Sequence, residues 1–144
     1  MDIQTDTAPA PAEPAAATKR RVLIVDDEAD FTLVAGLTLE QTGRYETRQE
    51  NDPRRTVAAA RDFRPDVILL DVMMPDMDGG DVLAELRAGP DTRDIPVIFL
   101  TALVGSHEAA AGALPGGGQC FVPKAAPVAE LVGRIEEVLG QASA

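Results

Sequence analysis

The sequence lacks the features that disulfide-bonded, zinc-binding and membrane-spanning proteins need. Its single cysteine, Cys120, cannot form an internal disulfide, and one cysteine excludes a cysteine-rich metal site. No apolar run approaches the roughly 18 residues of a membrane-spanning helix. The N-terminus has neither the basic region nor the apolar region of a signal peptide. We therefore expect a cytoplasmic protein with no segment inserted in a membrane.

Basic and aromatic residues are also scarce. Lys and Arg number 13 against 24 Asp and Glu, and the net charge of −11 disfavours binding to nucleic acid. Aromatic residues make up 3% of the chain and Trp is absent, so the core must be aliphatic. The only histidine, His107, lacks the four-helix context of a phosphotransfer histidine. We interpret it as a solvated helix residue.

Composition divides the chain into two parts. Residues 1–18 are mostly Ala, Pro, Thr and acidic residues, with too few large apolar side chains to offset the entropy cost of folding. We expect a disordered Ala/Pro-rich tail there. Residues 19–144 carry the apolar patterns and are numerous enough to form one domain with its own core.

Strand and helix patterns alternate along residues 19–144. Short apolar runs predict strands near residues 21–25, 67–70 and 95–100, weak alternation suits an edge strand at residues 45–49, and a brief strand is expected at residues 119–122, with helical segments between the strands. This alternation predicts a flavodoxin-like, doubly wound, five-stranded parallel sheet with strand order 2-1-3-4-5 and helices on both faces. In the first predicted helix, residues 30–42, the spacing of Phe31, Val34 and Leu37 is typical of a core-facing stripe.

Polar side chains follow four of the predicted strands. Asp26 and Asp27 follow the first strand, Asp71 the third, Thr101 the fourth, and Lys124 the fifth. In open parallel sheets, ligands bind at the C-terminal ends of the strands, so these side chains are expected to converge. Three carboxylates at close range repel one another unless a cation lies between them, and oxygen ligands suit Mg²⁺.

Such a site suits transfer of a phosphoryl group onto the carboxylate of Asp71. A cation and the ammonium of Lys124 would neutralise the repulsion between that carboxylate and the anionic phosphoryl group. The hydroxyl of Thr101 could contact one oxygen of the bound anion.

These residues and their spacing resemble the receiver domain of two-component response regulators, over about residues 19–140. Each motif is weak alone, but the set occurs in order on the expected strands. The motifs are Asp26-Asp27-Glu28, Leu70-Asp71-Val72-Met73-Met74-Pro75, Leu100-Thr101-Ala102 and Phe121-Val122-Pro123-Lys124.

The resemblance implies a role for each matching residue in the acidic pocket. Asp71 would be the phosphoacceptor. Asp26 and Asp27 would hold Mg²⁺, Asp27 more directly, and the backbone carbonyl of Met73 would be a further ligand. Lys124 would bridge to the phosphoryl group.

The resemblance also implies a conformational switch and a set of partners. Thr101 and Phe121 would form the switch pair, and the phenyl ring of Phe121 is expected to be partly or wholly buried in the resting state. The phosphodonor would be a histidine kinase or a histidine phosphotransfer protein, and a downstream protein would read the switched surface. Because little sequence follows the last helix, we expect a stand-alone receiver. The resemblance implies a domain that catalyses its own phosphorylation and dephosphorylation and is not a turnover enzyme.

The sequence departs from the family pattern at two places. The family usually has Pro directly after the lysine, often with a cis bond, whereas this chain has Ala125, whose peptide bond strongly prefers trans. Residues 117–120 read Gly-Gly-Gln-Cys in place of a more common Gly-Ala-acidic-acidic run. These extra glycines could loosen the surface that partners read.

Two other functions are alternatives to the phosphoacceptor. One is a receiver-shaped interaction module that signals without phosphorylation, which only Ala125 favours. The other is a phosphoester hydrolase, which would need a second carboxylate two residues beyond Asp71, where Met73 stands. The intact acidic pocket favours the phosphoacceptor.

Overall fold

The computed structural model describes residues 19–102 and 120–143, with side chains up to residue 140. The expected tail of residues 1–18, the expected helix near residues 106–113 with His107, and the glycine-rich loop lie outside the described residues. None of the described helices is long and apolar enough to cross a bilayer.

Five parallel strands form one sheet. They are β1 (Arg20–Val25), β2 (Tyr45–Glu50), β3 (Val67–Asp71), β4 (Val97–Thr101) and β5 (Cys120–Pro123). Their order is β2-β1-β3-β4-β5, which confirms the order predicted from the sequence. Every residue of β3 and β4 is buried, as their continuous apolar runs predict for central strands.

Helices cover both faces of this sheet. They are α1 (Ala29–Gln41), α2 (Thr56–Phe63), α3 (Gly79–Ala88) and α4 (Val128–Ser143), and a 3₁₀ turn, Pro53–Arg55, precedes α2. Successive strand residues point to opposite faces, so the apolar residues divide into two cores. One core joins Ile24 and Leu69 to α1 and α4, and the other joins Leu23 and Leu70 to α2 and α3.

The orientation of α1 differs from the sequence prediction. Val34 and Leu37, expected in the core, are 61% and 52% exposed. The helix instead buries Thr32, Gly36 and Leu39. A Cβ on Gly36 would lie 3.1 Å from Oγ1 of Thr47, so α1 approaches β2 closely through its small residues. The stripe prediction was wrong for Val34 and Leu37, while Phe31 is partly buried against the core.

The connection from β2 to α2 begins with a capping residue, Asp52. Asp52 accepts a hydrogen bond from the backbone amide of Arg54 at 3.0 Å, and Pro53 follows it at the first helical position. The first turn is 3₁₀, so the predicted single helix is divided into this turn and α2. Arg64 ends α2 in the left-handed conformation, with φ of 55°.

Candidate functional site

The sequence-predicted residues meet at the C-terminal edge of the sheet. The register pairs Val25 with Leu70, so the residues that follow them, Asp26 and Asp71, are neighbours across β1 and β3. One carboxylate oxygen from each of Asp26, Asp27 and Asp71 lies within 4.8 Å of the others. The convergence expected from the strand ends is therefore present.

The two aspartates after β1 have different environments. Asp26 is fully buried, and its Oδ1 accepts a hydrogen bond from the backbone amide of Glu28 at 2.9 Å. Asn51 supports the same loop, because its side-chain amide donates to the carbonyl of Asp26 at 2.8 Å. Asp27 is exposed. The loop thus presents one fixed carboxylate and one carboxylate open to solvent.

Asp71 is a buried carboxylate with an altered acidity. It is only 4% exposed at the end of β3, and the backbone amide of Met73 donates to its Oδ1 at 3.4 Å. Burial, followed by the charge of Asp26, raises the pKa of Asp71 to about 6, against the opposing effect of Lys124. The apolar strand and the neighbouring carboxylate both disfavour a second buried negative charge.

Lys124 supplies the positive charge at this edge. Its backbone amide donates to the carbonyl of Thr101 at 2.7 Å, which fixes the start of the loop after β5. Its Nζ lies 2.6 Å from Oδ2 of Asp26 and 3.9 Å from Oδ2 of Asp71. Partial burial acts to lower the pKa of Lys124, but contacts with Asp26 and Glu28 outweigh it and raise the pKa. The ammonium therefore stays charged.

The residues expected to form the switch lie on adjacent strands. Thr101 is buried at the end of β4, and its register partner is Pro123 on β5. Phe121 is partly buried, and its ring packs against Phe99 with the centroids 5.2 Å apart. These positions meet the expectation of a ring buried at least in part in the resting state.

A tight turn connects Asp71 to α3. The backbone amide of Gly79 donates to the carbonyl of Val72 at 2.8 Å. Asp78 and Asp81 form a reciprocal capping box at the start of α3, with hydrogen bonds of 2.9 and 3.3 Å. The side chain of Met73 is 76% exposed, so it does not pack in the loop. This turn holds the backbone after Asp71 close to the sheet.

The donor set fits a small divalent cation. Oδ2 of Asp26 is buried and accepts no hydrogen bond from the described residues, and its contact is the ion pair with the ammonium of Lys124 at 2.6 Å. Carboxylates of Asp26, Glu28 and Asp71 lie within 3.9 Å of this ammonium, and Asp27 adds a further carboxylate beside Asp26 and Asp71. The ligand atoms are all oxygens, the type that Mg²⁺ prefers.

The sequence assigned no role to Glu28 or Asn51. Glu28 belongs to the acidic motif, yet its distance from Lys124 in the chain gave no sign that the two side chains meet. Asn51 follows β2 and looked like an ordinary loop residue. The strand register pairs Val25 of β1 with Glu50 of β2, and the next residues, Asp26 and Asn51, are therefore neighbours.

The fold belongs to the class of doubly wound α/β proteins that bind ligands at the C-terminal ends of their strands. Within this class, residues 22–136 match the response regulator receiver domain, and the chain belongs to that family. It is a receiver domain of two-component signalling, a signalling domain whose family operates by a phosphorylation switch.

Known relatives agree with this assignment. The chain is 47% identical to the response regulator PleD of Caulobacter vibrioides over 107 residues, covering 72% of this chain and 22% of PleD. It is 34% identical over 119 residues to RpaA of Synechocystis, a DNA-binding dual master transcriptional regulator, covering 83% of this chain and 48% of RpaA. The chain thus spans about half or less of the curated relatives that it matches.

Solved structures match more completely. A response regulator from Desulfuromonas acetoxidans superposes with a TM-score of 0.71 at 27% identity, covering 85% of this chain and 98% of that one. The five-stranded fold is therefore shared over nearly the whole of that protein.

Proposed function

We propose that Asp71 is the phosphoacceptor of this receiver domain. The observation that carries the proposal is the position of its carboxylate. It closes a central strand, lies within 4.8 Å of two further carboxylates, and has the ammonium of Lys124 at 3.9 Å. Asp26 differs because it is fully buried and already accepts a hydrogen bond from the amide of Glu28, and Asp27 is exposed.

The reaction is a displacement at phosphorus. A carboxylate oxygen of Asp71 attacks the phosphorus of the donor, the bond from phosphorus to the donor breaks, and its electron pair leaves with the donor group. The product is an acyl phosphate on Asp71. Because the domain modifies its own carboxylate, it does not turn over a substrate as an enzyme would.

Asp26, Asp27 and Asp71, with the backbone carbonyl of Met73, would hold Mg²⁺. When bound, the cation neutralises negative charge on the phosphoryl oxygens. Oδ2 of Asp26 supports this assignment, because it is buried and accepts no hydrogen bond from the described residues. Lys124 contributes a second positive charge 3.9 Å from the carboxylate of Asp71, and it stays charged because its pKa is raised.

Thr101 and Phe121 would report the modification to a downstream protein. A phosphoryl group on Asp71 adds about two negative charges and new acceptor oxygens at the end of β4. The hydroxyl of Thr101 then moves towards this group, and the ring of Phe121 fills the vacated space against Phe99. The contact between the tilted rings of Phe99 and Phe121 supports a coupled movement of β4 and β5.

The phosphodonor would be a phosphohistidine on a histidine kinase or a phosphotransfer protein. A groove of about 270 Å³ lies beside the site, lined by Phe31, Val34, Lys124 and Val128 among others. Next to it, α1 exposes Val34 and Leu37 to solvent. Any donor must bring its phosphorus to this edge, and Lys124 belongs both to the groove and to the site. We therefore assign this surface to the phosphodonor.

Dependence on a divalent cation tests the proposal. The protein is incubated with an acyl phosphate such as acetyl phosphate, in Mg²⁺ or in chelator, and its intact mass is measured. One adduct of about 80 Da is expected in Mg²⁺ and little in chelator. An equal adduct in chelator would contradict the assigned cation site.

A further inference from the structure

Glu28 occupies the position before α1 where a side chain usually caps the helix. Its backbone has the extended conformation of an N-cap residue, but its side chain makes no capping hydrogen bond. The carboxylate extends instead to Lys124, whose Nζ donates to Oε1 of Glu28 at 2.5 Å. The N-terminus of α1 therefore lacks a side-chain cap, and the carboxylate of Glu28 contacts Lys124 in the acidic pocket instead.

This contact places the ammonium of Lys124 towards α1. Nζ lies 2.5 Å from Glu28 and 2.6 Å from Asp26, but 3.9 Å from Asp71. It also lies 4.7 Å from the centroid of the Phe31 ring, a favourable distance for a cation over an aromatic face. Glu28 and Phe31, at the start of α1, therefore share with Asp26 the positive charge that phosphoryl transfer needs at Asp71.

We propose that Glu28 is a positioning residue that holds the Lys124 ammonium on the α1 side of the pocket and competes with the phosphoryl group for it. The proposal rests on Asp71 as the phosphoacceptor. A phosphoryl group at Asp71 must draw the ammonium away from Glu28 or share it. Glu28 thereby slows phosphorylation and sets how readily the domain responds to a donor.

The competition is modest because Glu28 is accessible to water. Its side chain is 64% exposed, and ion pairs of this kind are weak. Removing the contact should therefore accelerate phosphorylation by about two- to fivefold, the factor that corresponds to an exposed ion pair. A gain in rate separates this role from a structural one, because damage to the fold would lower the rate.

Three variants distinguish the effect of the contact between Glu28 and Lys124 from the effect of the negative charge of Glu28. Glu28→Gln removes the charge. Glu28→Asp keeps the charge, shortens the reach to Lys124, and provides a residue that caps helices well. Asp30→Asn is the matched control, since Asp30 is an acidic residue in the first turn of the same helix and is not among the ion-pair partners of Lys124.

The test measures the rate of phosphorylation and the position of an NMR resonance of Lys124. Phosphorylation by acetyl phosphate in Mg²⁺ is followed by intact mass, and the ¹⁵Nζ resonance of Lys124 is recorded in chelator. Both Glu28 variants should be phosphorylated faster and should shift the resonance, while Asp30→Asn changes neither. Wild-type rates and an unmoved resonance in the Glu28 variants, with normal phosphorylation of the parent protein, would overturn the role of Glu28 alone. An unphosphorylated parent protein would overturn Asp71 as the acceptor, and the resonance would still decide whether Glu28 holds Lys124.

Discussion

Gly79 lies so close to Phe99 that a Cβ on the glycine would be 2.9 Å from Cε1 of the phenyl ring. The same Cβ would lie 2.8 Å from the backbone oxygen of Asp71. Gly79 is the first residue of α3, so the helix begins directly against the ends of β3 and β4. The turn after Asp71 can close only because this residue has no side chain.

We predict that Gly79→Ala disturbs both stability and phosphorylation. The added methyl group overpacks the turn, which should cost about 1–3 kcal/mol in the free energy of unfolding. It should also displace the end of β3 and slow phosphorylation of Asp71. Gly80→Ala is the matched control, because the nearest atom to its Cβ is a carboxylate oxygen of Asp78 at 3.3 Å. Equal denaturant midpoints for the two variants would contradict the packing argument.

The contact between Phe99 and Phe121 should be measurable as a coupling energy. Replacing each ring by Leu, singly and together, forms a double-mutant cycle. Aromatic pairs of this geometry contribute about 0.5–1.5 kcal/mol beyond their buried area, so the two substitutions should not be additive by that amount. Urea unfolding gives the four free energies. Additive effects would show that movement of one ring is not transmitted to the other.

The surface assigned to the phosphodonor can be tested separately from the chemistry. Leu37→Glu places a charge on the exposed face of α1 and should slow transfer from a phosphorylated histidine protein at least about tenfold, as expected when an apolar contact in an interface is lost. Phosphorylation by acetyl phosphate should be unchanged, because Leu37 is outside the acidic pocket. Ala58→Glu adds the same charge on α2 and should affect neither rate. If both variants slow protein-to-protein transfer equally, the donor docks elsewhere.

Ionisation of Asp71 should destabilise the metal-free protein. Burial and Asp26 raise the pKa of Asp71 to about 6, from a usual value near 3.8. The folded state therefore binds more protons than the unfolded state between these values, and stability falls as the pH rises from about 4 to about 6.

Asp71→Asn should remove this component and stabilise the metal-free protein at pH 7 by up to about 3 kcal/mol, the free energy that corresponds to this pKa shift. Mg²⁺ should stabilise the parent protein and have less effect on the variant. Thermal unfolding in chelator across pH 4–8 measures both effects. A variant less stable than its parent at pH 7 would show that Asp71 does not carry an unfavourable charge.

The sheet and the convergence of the acidic pocket were predictable because both follow from order along the chain. Apolar runs located the strands, and parallel pairing then brings their C-terminal ends to one edge. The face of α1 that packs against the sheet was not predictable in this way. Val34 and Leu37 have helical spacing, but small residues allow a closer approach to the sheet, and Gly36 with Thr32 turns inwards. Apolar periodicity cannot report how closely two elements approach.

The same limit applies to individual contacts in the site. The sequence placed Lys124 at the edge but could not show which carboxylate it meets first. That depends on the side-chain reach of Glu28 and on the loop that holds Asp26 beneath it. The capping box of Asp78 and Asp81 was also missed, because the pattern more often has Ser or Thr followed by Glu.

Replacement of Asp71 tests the central claim most directly. The parent protein, Asp71→Asn and the control Asp91→Asn, an exposed aspartate after α3, are each treated with acetyl phosphate in Mg²⁺ and analysed by intact mass. We predict one adduct of about 80 Da on the parent protein and on Asp91→Asn, and none on Asp71→Asn. An undiminished adduct on Asp71→Asn, with its fold intact, would show that another residue accepts the phosphoryl group.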